Sequence, residues 1–272
     1  RGEVSEGMIC AEDELGLGKG RDGIMVLDTN APAGQKGSDY FQLESDTIFE
    51  IGLTPNRSDA MSHIGVARDL YAGMKQNGMV TSFNIPTLKD AKTSEKLNIE
   101  IEIKDLNACP RYAGLTIKNI KVQDSPDWIQ KKLIAIGLTP INNIVDITNY
   151  VLHETGQPLH AFDSKAIKGN KVVVQQLADK TTFTTLDESE RQLSSEDLMI
   201  CNGNNEAMCL AGVFGGLDSG VSEKTTEIFL ESAYFHPVSV RKTAKRHGLN
   251  TDASFRFERG VDPNNVLYAI KR

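Results

Sequence analysis

The chain has 272 residues, of which 39% are hydrophobic and 25% are charged, as is typical of a globular protein of two domains. No apolar run is long enough to span a bilayer and no basic-then-apolar segment indicates secretion, so we expect a cytoplasmic protein without membrane contact. The four cysteines are scattered, with no Cys-x-x-Cys pair and no histidine at ligand spacing. This pattern favours free thiols in a reducing compartment over a metal site.

The net charge of −7 is unevenly distributed along the chain. Residues 1–50 contain eleven acids and four bases, whereas residues 240–272 contain eight bases and three acids. A basic C-terminal segment can lie near a nucleic-acid backbone, although a solvated helix face explains the same charge more simply. The chain begins with Arg1 rather than Met, and a helix predicted to start at Pro263 would be cut short, so we expect a piece of a longer polypeptide.

The N-terminal part is predicted to be a smaller, irregular α/β domain. Residues 1–50, rich in Gly, Asp and Ala, indicate irregular strand and loop, and their GLGKG has neither the Walker nor the dinucleotide spacing. Apolar residues at helical spacing predict a helix from a Ser58 cap to Met74. Residues 77–96 lose this periodicity and become polar. We therefore place a domain boundary between residues 90 and 91.

The second domain, residues 91–272, mixes strands and helices in irregular order. Alternating apolar residues predict a strand over 97–104, paired with a strand over 111–122. A helix over 125–137 is predicted to have Ser125 as its cap and Gly137 as its end. The further predicted elements are a helix over 143–155, strands over 171–177, 197–202, 207–216 and 227–235, and a basic helix from Pro237 to Gly248. Without a repeating βαβ unit, the fold class is α+β, with mixed or antiparallel sheets and packed helices.

Two segments place unusual groups next to predicted breaks in the secondary structure. In the first, Thr148 and Asn149 lie on a predicted helix and His160 follows its Gly-Gln-Pro end. A lone histidine beside a turn is more often a packing residue than a catalytic one, and the spacing alone favours that role. The second segment is LAGVFGG, residues 210–216, whose glycines either expose the backbone to a ligand or mark a bulge.

A third candidate is Glu231, on the strand predicted over 227–235. Alternation places its side chain on the same face as Phe229 and Ala233. A carboxylate among apolar neighbours lies at a sheet edge, pairs with an arginine or awaits a ligand donor. The sequence pattern alone favours the edge or the salt bridge.

Four blocks of sequence resemble the β subunits of bacterial phenylalanyl-tRNA synthetases. They are EIGLTPNRSDAMSHIGVARDL, NNIVDITNYVLHETGQPLHAFD, LAGVFGG and ESAYFHPVSVRKTAKRHGLNTDASFRFERGVDP, which together span residues 50–263. The opening GMICAEDELGLG is similar to the same subunit, where it follows a tRNA-binding domain. The resemblance implies that residues from about 95 onward form the subunit's editing domain, which hydrolyses tyrosine wrongly esterified to tRNA(Phe). Such proofreading is needed because an apolar pocket cannot strongly reject an analogue that adds one hydroxyl.

The resemblance also implies roles for single residues. Glu231 falls where the family places the acid that accepts the tyrosine hydroxyl, and His160 falls at the family's editing histidine. We expect His160 to position or deprotonate a water, or to orient the terminal ribose, and we expect backbone N–H groups over 212–216 to stabilise the oxyanion. Further residues of the pocket, implied by their positions, are Thr148 and Asn149 beside the histidine, Ala211 and Gly212 along the amino acid, and Gly215 and Gly216 in the same wall.

The implied partners are tRNA(Phe), tyrosine as the editing ligand and the synthetase α subunit, in a heterotetramer of two α and two β subunits. ATP and magnesium are expected only for the whole ligase, and we expect this piece to hold no cofactor and to activate no amino acid. Two alternatives remain open. One is a degenerate module that binds tyrosine without hydrolysis. The other is a scaffold for tRNA binding and subunit assembly, with Arg241, Lys242, Lys245 and Arg246 as RNA contacts.

Overall fold

The computed structural model of the protein describes residues 2, 4, 7–18, 20–27, 29–43, 46–79, 82–88 and 98–272. The chain forms two compact units, Arg1–Thr47 and Ile48–Arg272. The boundary predicted between residues 90 and 91 lies outside the described residues and stays a prediction. No helix of the described part has the length and apolar character that crossing a membrane requires.

The first unit contains little regular structure. A single 3-10 turn at Asp13–Leu15 precedes a one-turn helix, α1, at Gly37–Tyr40. Its described residues form no strand, so the prediction of irregular strand in this part of the chain is wrong there. The apolar side chains of Val26 and Ile24 are exposed within this unit, and the short runs that contain them have no partner strand to pair with among the described residues.

The helix predicted to begin at Ser58 begins four residues later. Ser58–Ala60 form a 3-10 turn, and α2 covers His63–Gln76. Ser62 has an extended backbone and its Oγ accepts a hydrogen bond from the N–H of Gly65 at 3.0 Å. The cap is therefore Ser62, because only its side chain reaches the free N–H groups of the first helical turn.

The remaining elements of the second unit follow in chain order. They are β1 (Glu100–Ile103), β2 (Arg111–Lys118), α3 (Asp127–Ala135), α4 (Asn143–Thr155), β3 (Leu159–Asp163), β4 (Lys171–Gln176), β5 (Thr182–Thr184), β6 (Glu190–Gln192), β7 (Leu198–Asn202), β8 (Ala207–Leu210), β9 (Phe214–Gly215), β10 (Glu227–Tyr234), α5 (Pro237–His247), α6 (Asp252–Phe257) and α7 (Asn265–Lys271). The α+β class is confirmed, as are the helix over 143–155 and the basic helix that ends before Gly248. Ser125 does not cap α3, because its hydroxyl donates instead to the buried carboxylate of Asp146 at 2.5 Å.

The strands form two main sheets and a small hairpin. The larger sheet has the order β1-β4-β7-β8-β9, in which β1 and β4 are parallel and the other neighbours are antiparallel. β5 and β6 pair as the separate hairpin. The predicted pairing of β1 with β2 is wrong, because β1 pairs with β4 and β2 pairs with β10. In the turn between β1 and β2, the Asp105 carboxylate accepts hydrogen bonds from the N–H groups of Asn107 and Ala108. The chain crosses there to the other sheet.

That second sheet is antiparallel and has the order β2-β10-β3, with β10 in the centre. Helix α4 packs along β3, while α7 packs on β10 and β2. One hydrophobic cluster contains buried residues of both sheets, among them Phe162 of β3, Phe229 of β10, Val174 of β4 and Ile200 of β7. The face of β10 that carries Phe229 therefore lies towards the core between the sheets.

Candidate functional site

The antiparallel register of β3 and β10 places His160 directly opposite Glu231. Opposite residues of an antiparallel pair project to the same face, so both side chains share the face of Phe229. Gly156, with φ of +80°, ends α4 and turns the chain into β3. The buried amide of Gln157 then donates to the carbonyl oxygen of Ala233 at 2.8 Å, which fixes β3 against β10.

Glu231 is nearly inaccessible to solvent, with 5% of its surface exposed. Burial raises the pKa of its carboxyl to about 7, and the hydrogen bond from Tyr112 opposes that rise. The Tyr112 hydroxyl donates to Oε2 at 2.5 Å. Because β10 is the central strand and the partner is a phenol, the interpretation that placed Glu231 at an edge or in a salt bridge is wrong.

The ring of His160 lies inside the same region. Its Nε2 is buried and has no hydrogen-bond partner within the described part of the chain. The ring packs edge-on against Phe162, with 4.4 Å between the ring centroids. Burial lowers the pKa of His160 to about 4, so the imidazole is neutral at pH 7. A buried ring nitrogen without a partner is costly, and His160 therefore differs from a histidine satisfied by packing alone.

Of the four small residues in the LAGVFGG segment, Gly215 lies beside His160, and Gly216 follows it in the chain. A Cβ added to Gly215 would lie 3.0 Å from Cε1 of His160 and 2.8 Å from Cδ1 of Leu186. Leu186 belongs to the turn between β5 and β6, and it is 45% exposed. Gly216 faces the other way, since its added Cβ would meet the Met208 carbonyl oxygen and the ring of Phe183. Only a glycine at position 215 leaves space next to the histidine.

The other two small residues lie in the turn between β8 and β9. Gly212 has a φ of +69°, and an added Cβ would lie 2.9 Å from the rings of Phe235 and Phe257. Ala211 is 3% exposed. The N–H groups of Val213 and Gly216 already donate to the carbonyl oxygens of Leu210 and Met208. Those two donors are therefore occupied within the protein.

Thr148 and Asn149 lie on α4 rather than on the sheet. The Thr148 hydroxyl donates to the Val145 carbonyl oxygen of its own helix at 2.7 Å. Asn149 is half-buried. In the described part of the structure, no hydrogen bond joins either side chain to His160 or Glu231. The pair on β3 and β10 is therefore built without them.

The basic residues of α5 divide into two groups. Arg246 binds the carboxylates of Asp197 and, at 2.7 Å, Glu196, and Lys242 lies 3.8 Å from Glu196. Arg241 and Lys245 are exposed and form no ion pair with a described residue. They lie one helical turn apart, so they present two free cations to solvent on one side of the helix.

Sequence reasoning missed Tyr112 and Gln157. The signal for Tyr112 was present, because a tyrosine on a half-buried strand needs a partner for its hydroxyl. Gln157 is a wholly buried amide in the break between α4 and β3, and a polar side chain in that position must bind backbone groups. Neither signal identifies the partner on β10, Glu231 for Tyr112 and Ala233 for Gln157, because that strand is far away in sequence.

Cysteine thiols are among the possible metal ligands of the residues that the structure describes. The four cysteines are free, and three of them, Cys109, Cys201 and Cys209, are buried. The described residues contain no group of three or more His, Cys, Asp or Glu side chains that is placed to hold a metal ion. The chemical resources of the site are thus a buried carboxyl, a neutral imidazole and a phenol.

Comparison with known proteins gives consistent matches. The family model of the B3/4 domain matches residues 108–272. The phenylalanine–tRNA ligase β subunit of Bacteroides thetaiotaomicron is 58% identical over 272 residues, which are 100% of this chain and 33% of that protein. The corresponding subunits of Porphyromonas gingivalis and Salinibacter ruber are 56% and 46% identical, again over 100% of this chain and 33% of theirs. The chain thus spans about a third of the length of these relatives.

A solved N-terminal fragment of the phenylalanyl-tRNA synthetase β-subunit from Pyrococcus horikoshii also aligns with the chain. The alignment covers 71% of this chain and 59% of that one, with a TM-score of 0.39 and 13% identity. This similarity is too low to add to the sequence comparison.

Proposed function

The chain belongs to the B3/4 domain family, and on that basis we propose that it is the proofreading part of a phenylalanine–tRNA ligase β subunit. Its reaction is the hydrolysis of the ester between tyrosine and tRNA(Phe). Its partners are tRNA(Phe) and the α subunit, in the cytoplasm, and amino-acid activation with ATP and magnesium belongs to the whole enzyme.

The observation that carries this proposal is the placement of His160 opposite Glu231 on neighbouring strands. Each side chain is costly to bury as it stands. Glu231 has a single donor, Tyr112, and the Nε2 of His160 has none among the described residues. Folding tolerates such groups when a ligand or a water completes their hydrogen bonds. A tyrosyl-tRNA ester supplies a phenol hydroxyl for Glu231 and a ribose hydroxyl for His160. The water that hydrolyses the ester can bind His160 in place of the ribose hydroxyl.

Specificity follows from the environment of the carboxyl. The tyrosine hydroxyl donates a hydrogen bond to Glu231, whereas phenylalanine leaves the same carboxyl buried and short of a partner. An unsatisfied buried polar group costs about 1–3 kcal/mol, and more when it is charged, which corresponds to roughly tenfold to hundredfold selectivity or greater. Phenylalanyl-tRNA(Phe) is thereby spared, and the pocket complements a synthetic site that cannot exclude tyrosine strongly.

His160 acts on the hydrolytic water or on the ribose. With its pKa near 4, the imidazole stays neutral across the cellular range and never presents a positive charge to the tRNA end. It is correspondingly a weak general base, since proton abstraction is most efficient when the pKa of the base lies near the working pH. We therefore assign it the positioning of the attacking water through Nε2. A covalent intermediate is not required, because no serine or cysteine of the described structure forms a hydrogen bond with Nε2 of the histidine.

The test is deacylation of tyrosyl-tRNA(Phe) and phenylalanyl-tRNA(Phe) by the protein and by four variants. Glu231→Ala is expected to lose the preference for the tyrosyl ester, and His160→Ala is expected to lower hydrolysis of that ester by roughly a hundredfold. Glu227→Ala, on the same strand but paired with Lys118 near the surface, and His236→Ala, an exposed histidine, serve as matched controls. Equal activity of all five proteins would remove the pair from the mechanism.

A second function is supported by the free cations of α5. We propose that Arg241 and Lys245 contact the tRNA backbone, because they are exposed and their charges are not used within the described protein. Replacing both with glutamine should weaken tRNA binding. The slope of log affinity against log salt concentration should fall by the amount expected for the loss of about two phosphate contacts. If tRNA binds to the protein but neither ester is hydrolysed, this scaffold role stands without the proofreading role.

A further inference from the structure

We propose that Tyr112 is a positioning residue of the pocket, whose hydroxyl holds one carboxylate oxygen of Glu231 and leaves the other to accept the hydroxyl of a tyrosyl substrate. The inference deepens the proposed function and rests on it, because it assigns a role through Glu231. Tyr112 acts through that carboxylate and touches no reacting atom.

The strand register explains why Tyr112 is the residue that reaches Glu231. On β2, the residue opposite Glu231 is Gly114, which has no side chain to offer. The ring of Phe229 fills that space, since a Cβ on Gly114 would lie 2.1 Å from its Cζ. Tyr112 lies two residues before Gly114 on β2, opposite Ala233, and a long side chain in that diagonal position reaches Glu231.

The hydrogen bond uses only one side of the carboxylate. The phenol donates to Oε2 at 2.5 Å, and no donor within the described residues binds Oε1. An ionised carboxylate offers about four acceptor positions, so a second phenol can bind without displacing the first. His160 lies opposite Glu231 on β3, whereas Tyr112 lies on β2 at the other side of β10. A ligand that contacts His160 and Oε1 therefore leaves the bond from Tyr112 in place.

The contact also determines the charge that the substrate meets. Burial favours the neutral acid, and the bond from Tyr112 favours the carboxylate, with the pKa of Glu231 at about 7 as the result. The other titratable groups that face Glu231 are His160, which is neutral there, and the thiols of Cys109 and Cys209, whose pKa values burial raises. None of them supplies a positive charge near pH 7. The Tyr112 hydroxyl is therefore the group that keeps Glu231 partly ionised.

An ionised acceptor sharpens discrimination between the two amino acids. Leaving a buried charge unpaired costs more than leaving a neutral acid unpaired, so phenylalanine is penalised more strongly when Tyr112 is bound. Tyrosine binding is then linked to loss of the Glu231 proton. Below the pKa of the empty site, the affinity for tyrosine should fall by up to tenfold for each pH unit.

The experiment measures the affinity of the protein for free tyrosine and free phenylalanine between pH 6 and 8.5. It compares the native chain with Tyr112→Phe, which removes only the hydroxyl, and with Tyr234→Phe as a matched control on β10. The native protein should prefer tyrosine and lose affinity below pH 7. Tyr112→Phe should bind tyrosine about tenfold more weakly at pH 7, and its loss of affinity should begin at least about one pH unit higher.

The outcomes separate this inference from the function on which it rests. If the native protein does not prefer tyrosine at any pH, the proofreading function itself fails. If it prefers tyrosine and Tyr112→Phe matches Tyr234→Phe in affinity and pH profile, Tyr112 has no positioning role and the function stands. Should Tyr112→Phe not fold, the ¹³Cζ resonance of Tyr112 in the native protein decides. Tyrosine, but not phenylalanine, should shift this resonance. An unchanged resonance, or one typical of an unbonded phenol, would overturn the inference.

Discussion

The stability of the protein should depend on pH through Glu231 in a direction opposite to that of most carboxylates. The folded state raises the pKa of this group from 4.5 to about 7, so folding favours its protonated form. The stabilising contribution is fully present below pH 4.5 and is lost as the pH rises through 7. A shift of this size corresponds to about 3 kcal/mol between the two limits.

Glu231→Gln isolates that contribution. Glutamine keeps the shape of the side chain but cannot ionise, so the variant avoids the cost of a buried charge at neutral pH. The difference in unfolding free energy between the variant and the native protein should therefore change by about 3 kcal/mol in favour of the variant between pH 4.5 and 7.5. Taking the difference cancels the titration of every other group, including His160.

The comparison has to remove the contribution of His160 to stability, because this contribution changes with pH in the opposite direction. Burial lowers its pKa from 6.5 to about 4, so its contribution to stability is present above pH 6.5 and is lost as the pH falls through 4. In the native protein, these two contributions oppose each other between pH 4.5 and 6.5. In Glu231→Gln, the rise with pH due to His160 is no longer offset by Glu231, and His153, whose pKa burial also lowers to about 4, adds to that rise.

The assay is urea denaturation followed by the fluorescence of Trp128, the single tryptophan of the chain, on α3 of the second unit. Glu227→Gln, a carboxylate at the accessible start of β10, is the control and should show no such trend. A difference between Glu231→Gln and the native protein that does not vary with pH would show that Glu231 ionises as in water. The argument from burial would then be refuted.

Four further predictions concern the LAGVFGG segment, the residue beside it and a buried carboxylate next to α5. Gly212→Ala should lower the free energy of unfolding, measured by urea denaturation, by about 2–4 kcal/mol, because φ is +69° and two core rings lie 2.9 Å from the added carbon. Gly215→Ala should retain most of the stability but abolish tyrosine binding measured by calorimetry, because the added carbon would lie 3.0 Å from Cε1 of His160. Leu186→Ala should speed tyrosine association in stopped-flow experiments, since Leu186 covers the same space beside His160. Asp197→Asn should lower stability by about 2–4 kcal/mol, because a buried carboxylate that binds Arg246 and His247 loses its charge.

Much of the second unit could be predicted from sequence because its elements are bounded by residues with strong local preferences. Gly156 and Gly248 end α4 and α5 in left-handed conformations, and Pro237 begins α5. The alternation along β10 placed Phe229, Glu231 and Ala233 on one face, and the register of the strand agrees with that pattern. These are short-range properties, so a single sequence contains them.

Strand pairing was not predictable in the same way. β1 pairs in parallel with β4 and β2 pairs with β10, and each pairing joins segments that are far apart in the chain. The donor to Glu231 was missed for this reason, since Tyr112 precedes it by 119 positions. The sequence pattern gave Glu231 a buried face but not its neighbours. An edge position or an arginine was then the simplest way to satisfy the carboxylate, and both were wrong.

The geometry of the site depends on how β3 and β2 are aligned with β10, because shifting a strand by a single residue moves every one of its side chains to the opposite face of the sheet. His160 meets Glu231 only while β3 keeps its alignment with β10, and the Gln157 amide, bound to the Ala233 carbonyl oxygen, lies where β3 begins. Gly114 opposite Glu231 is the corresponding requirement on β2, since any side chain there would collide with the ring of Phe229. The neighbouring strands thus supply an imidazole from one side and a phenol from the other. Under the proposed function, residues that touch no substrate thus determine which carboxylate oxygen is left to accept its hydroxyl.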